Sequence, residues 1–386
     1  MEKTVVVCGC DGYIGWSLAL RLIEKGYRVV GIDDFSRRQY VKEMDSFSAT
    51  PITHWDRREK YLFKHGYFRF LHHSIHGEYQ KLKTFLSQFD VSAIVNLAQQ
   101  PSAPFSHKSR EHSINTTHNN IIGTINILYI MRELFPNAQL IQIGSMGEYK
   151  HDAGINIAEG KFDMVYRGKV WRDAIFPRQP GSWYHASKVA STYYIDCACR
   201  WWGLRATDIM QGVVYGGWTD EIKKSGLYTR MDSDEAFGTV VNRFILQNIL
   251  GLPLTVFGDG EHSRGFLSIS DSIQCLMLAI ENEIDEGEYR TWNQFAEQFT
   301  INEIAKTVVN VGEGYGIIGK IEHIKTPRKE NTKYFNYNVD TKKLKNLGFE
   351  PARTIEDEVR YLFEILLPDI GKLNVLSKNL IPVIKW

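Results

Sequence analysis

Thr4-Val5-Val6-Val7-Cys8-Gly9-Cys10-Asp11-Gly12-Tyr13-Ile14-Gly15 stands almost at the start of the chain and decides its fold. The β-branched run up to Cys8 has the pattern of a strand buried on both faces of a parallel sheet. Gly9, Gly12 and Gly15 allow a turn so tight that backbone N–H groups approach a pyrophosphate at the start of the next helix. Residues 16–25 follow with a helical apolar pattern, and Gly26 stops them. A second strand, residues 27–32, ends in Asp33-Asp34. An acid at that point takes both hydroxyls of a ribose, which selects NAD over NADP. Arg37 and Arg38 offer a competing site for a 2′-phosphate, and Asp33 outweighs them.

Working outward, residues 91–97 read as a strand and 119–132 as a long amphipathic helix. Residues 138–144 form another strand that delivers Ser145 to its carboxyl end, where open parallel sheets bind ligands. Tyr184 and Lys188 lie one helical turn apart on one face. A phenol beside an ammonium is a poised acid/base, since a nearby positive charge favours the phenolate. With Ser145 they make the triad of a dehydrogenase acting at a carbinol carbon. Ser145 orients the substrate hydroxyl and Tyr184 exchanges its proton. Lys188 lowers the tyrosine pKa and holds the nicotinamide ribose.

These units predict an α/β fold, a Rossmann-type doubly wound parallel sheet with a smaller mixed α/β substrate-binding domain. Residues 1–203 are read as the NAD-binding domain. Its insertion, 150–182, carries a hairpin pattern around Arg167-Gly168 and is expected to cover the site. Residues 204–386 are mainly the substrate domain, interleaved with the first. They hold a strand at 204–210, helices near 237–250, 270–281, 301–311 and 354–366, and short strands at 254–257 and 321–324.

Composition narrows the function classes. The 46 basic and 45 acidic residues leave a net charge of +1, which argues against a general nucleic-acid binder. Cys8, Cys10, Cys197, Cys199 and Cys275 show neither metal-ligand spacing nor a disulfide ladder, so no metal is expected. The first strand follows Met1-Glu2-Lys3 directly, leaving no room for a leader, and no apolar run reaches membrane-spanning length. A cytoplasmic protein with no membrane partner is the expectation. The 12% aromatic content suits stacking against sugars or bases as well as a dense core.

Several stretches together resemble one family. Asp11-Gly12-Tyr13-Ile14-Gly15-Trp16, Ser102-Ala103-Pro104, residues 118–124, Met146-Gly147-Glu148-Tyr149, Tyr184-His185-Ala186-Ser187-Lys188, residues 205–208, residues 211–216 and Asn293-Gln294-Phe295 are similar to the UDP-sulfoquinovose synthases. These belong to the nucleotide-sugar branch of the extended short-chain dehydrogenases/reductases. The likeness runs to Ile381-Pro382, essentially the whole chain. It implies conversion of UDP-glucose and sulfite to UDP-sulfoquinovose through 4-keto and 4-keto-5,6-ene intermediates, with NAD transiently reduced. It further implies a homodimer, built on the helices read at 119–132 and 182–199, and leaves open a protein that donates the sulfite.

The resemblance implies NAD contacts at Gly9, Asp11, Gly12, Tyr13, Ile14, Gly15, Asp33, Asp34, Arg37, Ser74, Ile75, Leu97, Asn119, Tyr184, Lys188, Gln211 and Val214. Substrate contacts are implied at Gln100, Ser145, Met146, Gly147, Tyr184, Gln211 and Thr239, with Arg264 and Arg328 on the diphosphate. Two departures stand out: Ser145 replaces the family's usual threonine, and Gln100-Pro101 replaces a common Gln-Arg pair. In related 4,6-dehydratases an Asp-Glu pair follows the catalytic hydroxyl, where this chain has Met146-Gly147. His185 and Glu148 are therefore expected to share the acid/base work at C5 and C6. A packing histidine and a surface glutamate are the plain alternatives. A UDP-glucose 4-epimerase, a 4,6-dehydratase, or a non-catalytic NAD-sensing scaffold would share much of this pattern.

Overall fold

The structure, a computed structural model, describes residues 3–149, 156–325, 339–381 and 384. Its central strands are Thr4–Cys8 (β1), Arg28–Asp33 (β2), Phe68–His72 (β3), Val91–Asn96 (β4), Gln139–Ile143 (β5), Arg205–Gln211 (β6) and Tyr289–Gln294 (β7). They form one seven-stranded parallel sheet in the order β7-β6-β5-β4-β1-β2-β3. The β-branched run reads as expected, because β1 is buried on both faces. Val5 and Val7 pack with Leu18, Leu22, Ile273 and Leu276 on one side. Val6 and Cys8 pack with Ile127, Ile130, Met131 and Ile195 on the other. Strand order reverses between β1 and β4, so a crevice opens beyond their carboxyl ends.

The smaller unit has its own core. Phe244 and Ile245 of the Val240–Ile249 helix, Ile304 and Val308 of Ile301–Glu313, and Val359 and Leu362 of Ile355–Leu366 meet there. Leu254–Phe257 pairs in parallel with Ile321–Ile324. Ser263–Ser268 lies between Val213–Tyr215 and Glu297–Thr300. The two units interleave: β6, β7 and the Ile269–Glu281 helix come from the later half of the chain yet pack into the first.

Two local readings change. The helix read at 119–132 is the end of a longer run, Arg110–Thr117, then a π-turn at His118–Ile122, then Gly123–Leu134. Ser109 starts it by accepting a hydrogen bond from the His112 N–H. The insertion does form its hairpin, Lys161–Tyr166 paired antiparallel with Lys169–Ile175. No described residue of that insertion lines the crevice, however. An ion pair of Lys161 with Asp196 (2.8 Å) holds the hairpin against the helix Trp183–Trp202 instead.

Candidate active site

The crevice is a cavity of about 480 Å³. Of the catalytic, cofactor and substrate residues read from the sequence, all but Asp11, Glu148 and Arg328 line it, and Arg38 does not. Arg328 lies outside the described residues.

At one end the glycine turn leaves backbone where side chains would collide. Gly9 has φ +83°, and a Cβ there would sit 2.7 Å from the Leu97 carbonyl group. A Cβ on Gly15 would overlap the Gly9 carbonyl oxygen. The Tyr13–Glu24 helix begins here without a side-chain cap, so its first N–H groups face the crevice. That is a cradle for a pyrophosphate. Asp33 lines the crevice at the end of β2, its carboxylate accepting from the Asp11 N–H (2.9 Å) and the Phe35 N–H (2.8 Å). Burial, with the nearby Asp11 charge, pushes the Asp33 carboxyl up to about 7.

Both arginines read as a competing 2′-phosphate site are committed elsewhere. Arg38 grips Asp11 with two hydrogen bonds (2.6 and 2.7 Å), and fully buried Arg58 adds a third (2.8 Å). Arg37 donates twice to Asp232 (3.0 and 2.7 Å). The residues fit NAD. They also place the Asp11 carboxylate in an ion cluster rather than on the crevice wall.

Ser145 follows β5 and caps a short 3-10 turn, Met146–Glu148, accepting from the Gly147 N–H (3.1 Å). Ser182 caps the Trp183–Trp202 helix, which carries Tyr184, His185 and Lys188 to the same point. The Ser145 hydroxyl stands beside the Tyr184 phenol and favours its ionised form. The Lys188 Nζ lies 5.7 Å from the Tyr184 ring centre and donates to Gln99 Oε1 and the Ile143 carbonyl (2.6 Å). The sequence expects a phenol lowered by Lys188, but in the structure it is raised. Burial and the Glu148 carboxylate push it up, against the pull of Ser145. Burial likewise pulls Lys188 down to about 8, against Glu148 and Asp208.

His185 and Glu148 part company. His185 Nδ1 bonds the Ser182 hydroxyl (2.9 Å), and its Nε2 stands over Gly147. A Cβ on Gly147 would collide with that Nε2, so glycine is what admits the ring. Glu148 is fully buried behind Ser145, accepting from the Ser145 N–H (2.8 Å) and paired with Arg178. Burial pushes its carboxyl up to about 7, against the Arg178 charge. Glu148 is thus neither a surface residue nor a group that faces substrate; it holds the Ser145 turn.

The opposite wall is the segment from Arg230 to Arg243, with Phe257, His262 and Arg264. Arg243 is buried and forms no ion pair among the described residues. Its Nη2 donates to the Thr255 carbonyl (3.1 Å), and burial pulls its pKa down to about 10. Thr239 begins the Val240–Ile249 helix beside it with an unpartnered hydroxyl. An uncompensated guanidinium next to an uncapped helix start suits a diphosphate. Sequence reading missed Arg243, Arg230 and Gln99. Arg243 sits inside an amphipathic helix, where a lone arginine reads as solvent-facing.

A dinucleotide cradle and a Ser-Tyr-Lys centre facing an anion wall define a nucleotide-sugar enzyme of the short-chain dehydrogenase type. The chain belongs to the NAD dependent epimerase/dehydratase family, whose sequence profile matches residues 5–293. Its relatives narrow this further. It is 39% identical over 384 residues to the UDP-sulfoquinovose synthase of Sulfolobus acidocaldarius, covering 99% of this chain and 97% of that protein. It is 36% identical over 388 residues to the chloroplastic UDP-sulfoquinovose synthase of Spinacia oleracea, covering 100% of this chain and 79% of that protein. Among solved structures, UDP-glucose 4-epimerase of Thermotoga maritima aligns with a TM-score of 0.71 at 20% identity, over 95% of this chain and 99% of that one. That likeness speaks to the fold.

Proposed function

We propose that the chain joins UDP-glucose and sulfite to give UDP-sulfoquinovose and water. The observation that carries this reading beyond a 4-epimerase is His185 Nε2 set over Gly147, beside the Ser145–Tyr184 pair. An epimerase needs the triad alone; chemistry at C5 and C6 needs a further proton carrier, and histidine titrates in the required range.

NAD, held by the glycine turn and Asp33, would supply the hydride acceptor and donor for C4 of glucose. Tyr184 takes the C4 hydroxyl proton, with Ser145 orienting that oxygen and Lys188 stabilising the phenolate. The 4-ketone acidifies the C5 hydrogen. His185 removes that proton and passes it to the departing C6 hydroxyl, so water leaves and a 4-keto-5,6-ene forms. Hydrogen sulfite adds to C6 through sulfur, and the proton it gives up passes by way of His185 to C5. Tyr184 then returns its proton to the C4 oxygen. Arg243, Arg264, Thr239 and Arg328 are assigned to the diphosphate.

Ile114, Ile122, Tyr129, Trp183, Tyr193 and Trp201 are exposed on the Arg110–Leu134 run and the Trp183–Trp202 helix, which supports a homodimer built on those helices. No helix among the described residues is long and apolar enough to cross a membrane. A cytoplasmic location and free or protein-delivered sulfite complete the proposal.

Mass spectrometry of the purified protein with NAD, UDP-glucose and sulfite tests it. A nucleotide sugar carrying the sulfonate mass, formed only with sulfite, is the expected product. UDP-galactose at unchanged mass would make the chain an epimerase instead.

A further inference from the structure

Lys188 is a buried ammonium whose direct partners are neutral. Glu148 and Asp208 are the carboxylates that bear on it, and neither touches it. Glu148 is held by Arg178, and Asp208 accepts from Thr192 (2.6 Å) and Tyr289 (2.8 Å). Tyr184, on the same helix, is the other titratable neighbour. The contacts Lys188 does make are Gln99 Oε1 and the Ile143 carbonyl.

The chemistry of the donors fixes the orientation of everything behind that contact. An ammonium only donates, so Gln99 must turn its oxygen to Lys188. The same oxygen accepts from Gln142 Nε2 (2.7 Å), so Gln142 must turn its own oxygen to Asn96 Nδ2 (2.9 Å). The other end of Gln99 meets an acceptor, as it must: its Nε2 donates to the Asn120 carbonyl and to Thr124 Oγ1 (both 3.1 Å). Gln99, Gln142 and Asn96 are all buried.

Asn120 lies in the π-turn, and the turn explains its reach. Asn119 Oδ1 (3.0 Å) and Asn120 Oδ1 (2.8 Å) both accept from the Gln100 N–H. Consecutive residues of an α-helix point about 100° apart and do not converge so. A widened turn lets them, and such turns gather at functional sites.

We propose that Gln99 is the positioning residue for Lys188: a chain of neutral amides, anchored on the π-turn, sets where the ammonium sits and how readily it keeps its proton. The inference rests on the assigned role of Lys188 in supporting the Tyr184 phenolate, and it holds for any sugar-oxidising reaction of this triad. Replacing the amide by a carboxylate places a full negative charge against the ammonium. Replacing it by an apolar group removes the acceptor.

Two measurements test this. The first reads Lys188 itself: the ε-carbon NMR shift of lysine-labelled protein, assigned by its loss in Lys188→Met, followed against pH without any turnover. Gln99→Glu is expected to raise the titration midpoint by about 1–3 pH units, the range for an added opposite charge. Gln99→Leu is expected to lower it. The second reads reduction of bound NAD by UDP-glucose without sulfite. Gln99→Leu is expected to lower this rate about tenfold or more with KM for UDP-glucose within twofold, and to move the alkaline limb of its pH profile down. Gln99→Glu is expected to recover much of the rate and move that limb up.

Unchanged midpoints in both variants would overturn the proposal, as would a loss of rate with no movement of the limb. If Gln99→Leu fails to fold, Gln99→Glu and the titration decide alone. Loss of sulfite-dependent product in the parent protein would sink the synthase reading and leave the Lys188 titration standing.

Discussion

The floor of the crevice and its outer wall treat buried polar atoms in opposite ways. On the floor, Gln99, Gln142 and Lys188 leave no side-chain polar atom without a partner, and Asn96 Oδ1 is the exception in that amide chain. In the segment 230–243 that carries the wall, Arg230 Nη1, Ser233 Oγ, Asp234 Oδ2, Thr239 Oγ1, Asn242 Oδ1 and Arg243 Nε are buried with no partner among the described residues. An unsatisfied buried group costs on the order of 1–3 kcal/mol, so a run of them within fourteen residues is not a neutral feature. The floor is set in advance by its own hydrogen bonds. Of the wall residues, Arg230, Thr239 and Arg243 line the crevice, and their unmet N–H and O–H donors suit an acceptor-rich anion such as a nucleotide diphosphate.

The sharpest break of this contrast is at the floor. Tyr184→Phe should lower NAD reduction by UDP-glucose by about 10²–10⁴-fold, the usual weight of a positioned acid/base, while calorimetry shows nucleotide-sugar affinity unchanged. A comparable loss of affinity would mean the phenol mainly binds.

On the wall the prediction inverts. Arg243→Leu should weaken UDP-glucose binding by about 10–100-fold, from the loss of one charged hydrogen bond of about 1.5–3 kcal/mol, with NAD content retained. If kcat fell and KM held, Arg243 would belong to the floor and the division would collapse.

Gly147→Ala sharpens the division within the floor itself. The added methyl displaces His185, so sulfite-dependent product should drop about tenfold or more while NAD reduction by UDP-glucose persists. Equal losses in both reactions would remove His185 from the C5 and C6 steps.

The smallest effect concerns pH. Asp33 has a carboxyl raised to about 7, and ribose hydroxyls donate to its ionised form. Ionisation increases as pH rises through that value, so NAD affinity should rise a few-fold between about pH 6 and 8. Fluorescence titration should show the slope in the parent protein and a flat response in Asp33→Asn.

How much of this was legible depends on how local each cause is. The glycine turn, the acid ending β2 and the Tyr184–Lys188 spacing are short-range patterns, and the structure places them on one crevice. The region around β3 was not legible: the helices Ser36–Glu43, Trp55–His65 and Tyr79–Leu86 carry mixed polar patterns without strong caps. Arg38 shows the limit at a single residue. Beside a cofactor motif it reads as a phosphate ligand, and only the approach of Asp11 commits it elsewhere. Glu148 reads as a candidate acid because it lies close to Ser145 in the sequence, yet Arg178 and burial turn it inward.

Sequence alone settles what is encoded within a turn of helix or a few residues of strand: a buried parallel strand, a turn open to a pyrophosphate, and a phenol and an ammonium on one face. Those features follow from side-chain shape and helical or strand periodicity, which act over short range. Tertiary structure decides which polar groups spend their hydrogen bonds on each other and which remain for a ligand. Gln99 reaches Lys188 across 89 positions of chain, and Arg37 reaches Asp232 across 195. Hydrogen bonds and charge pairs are decided by distance in space, and burial sets what each is worth.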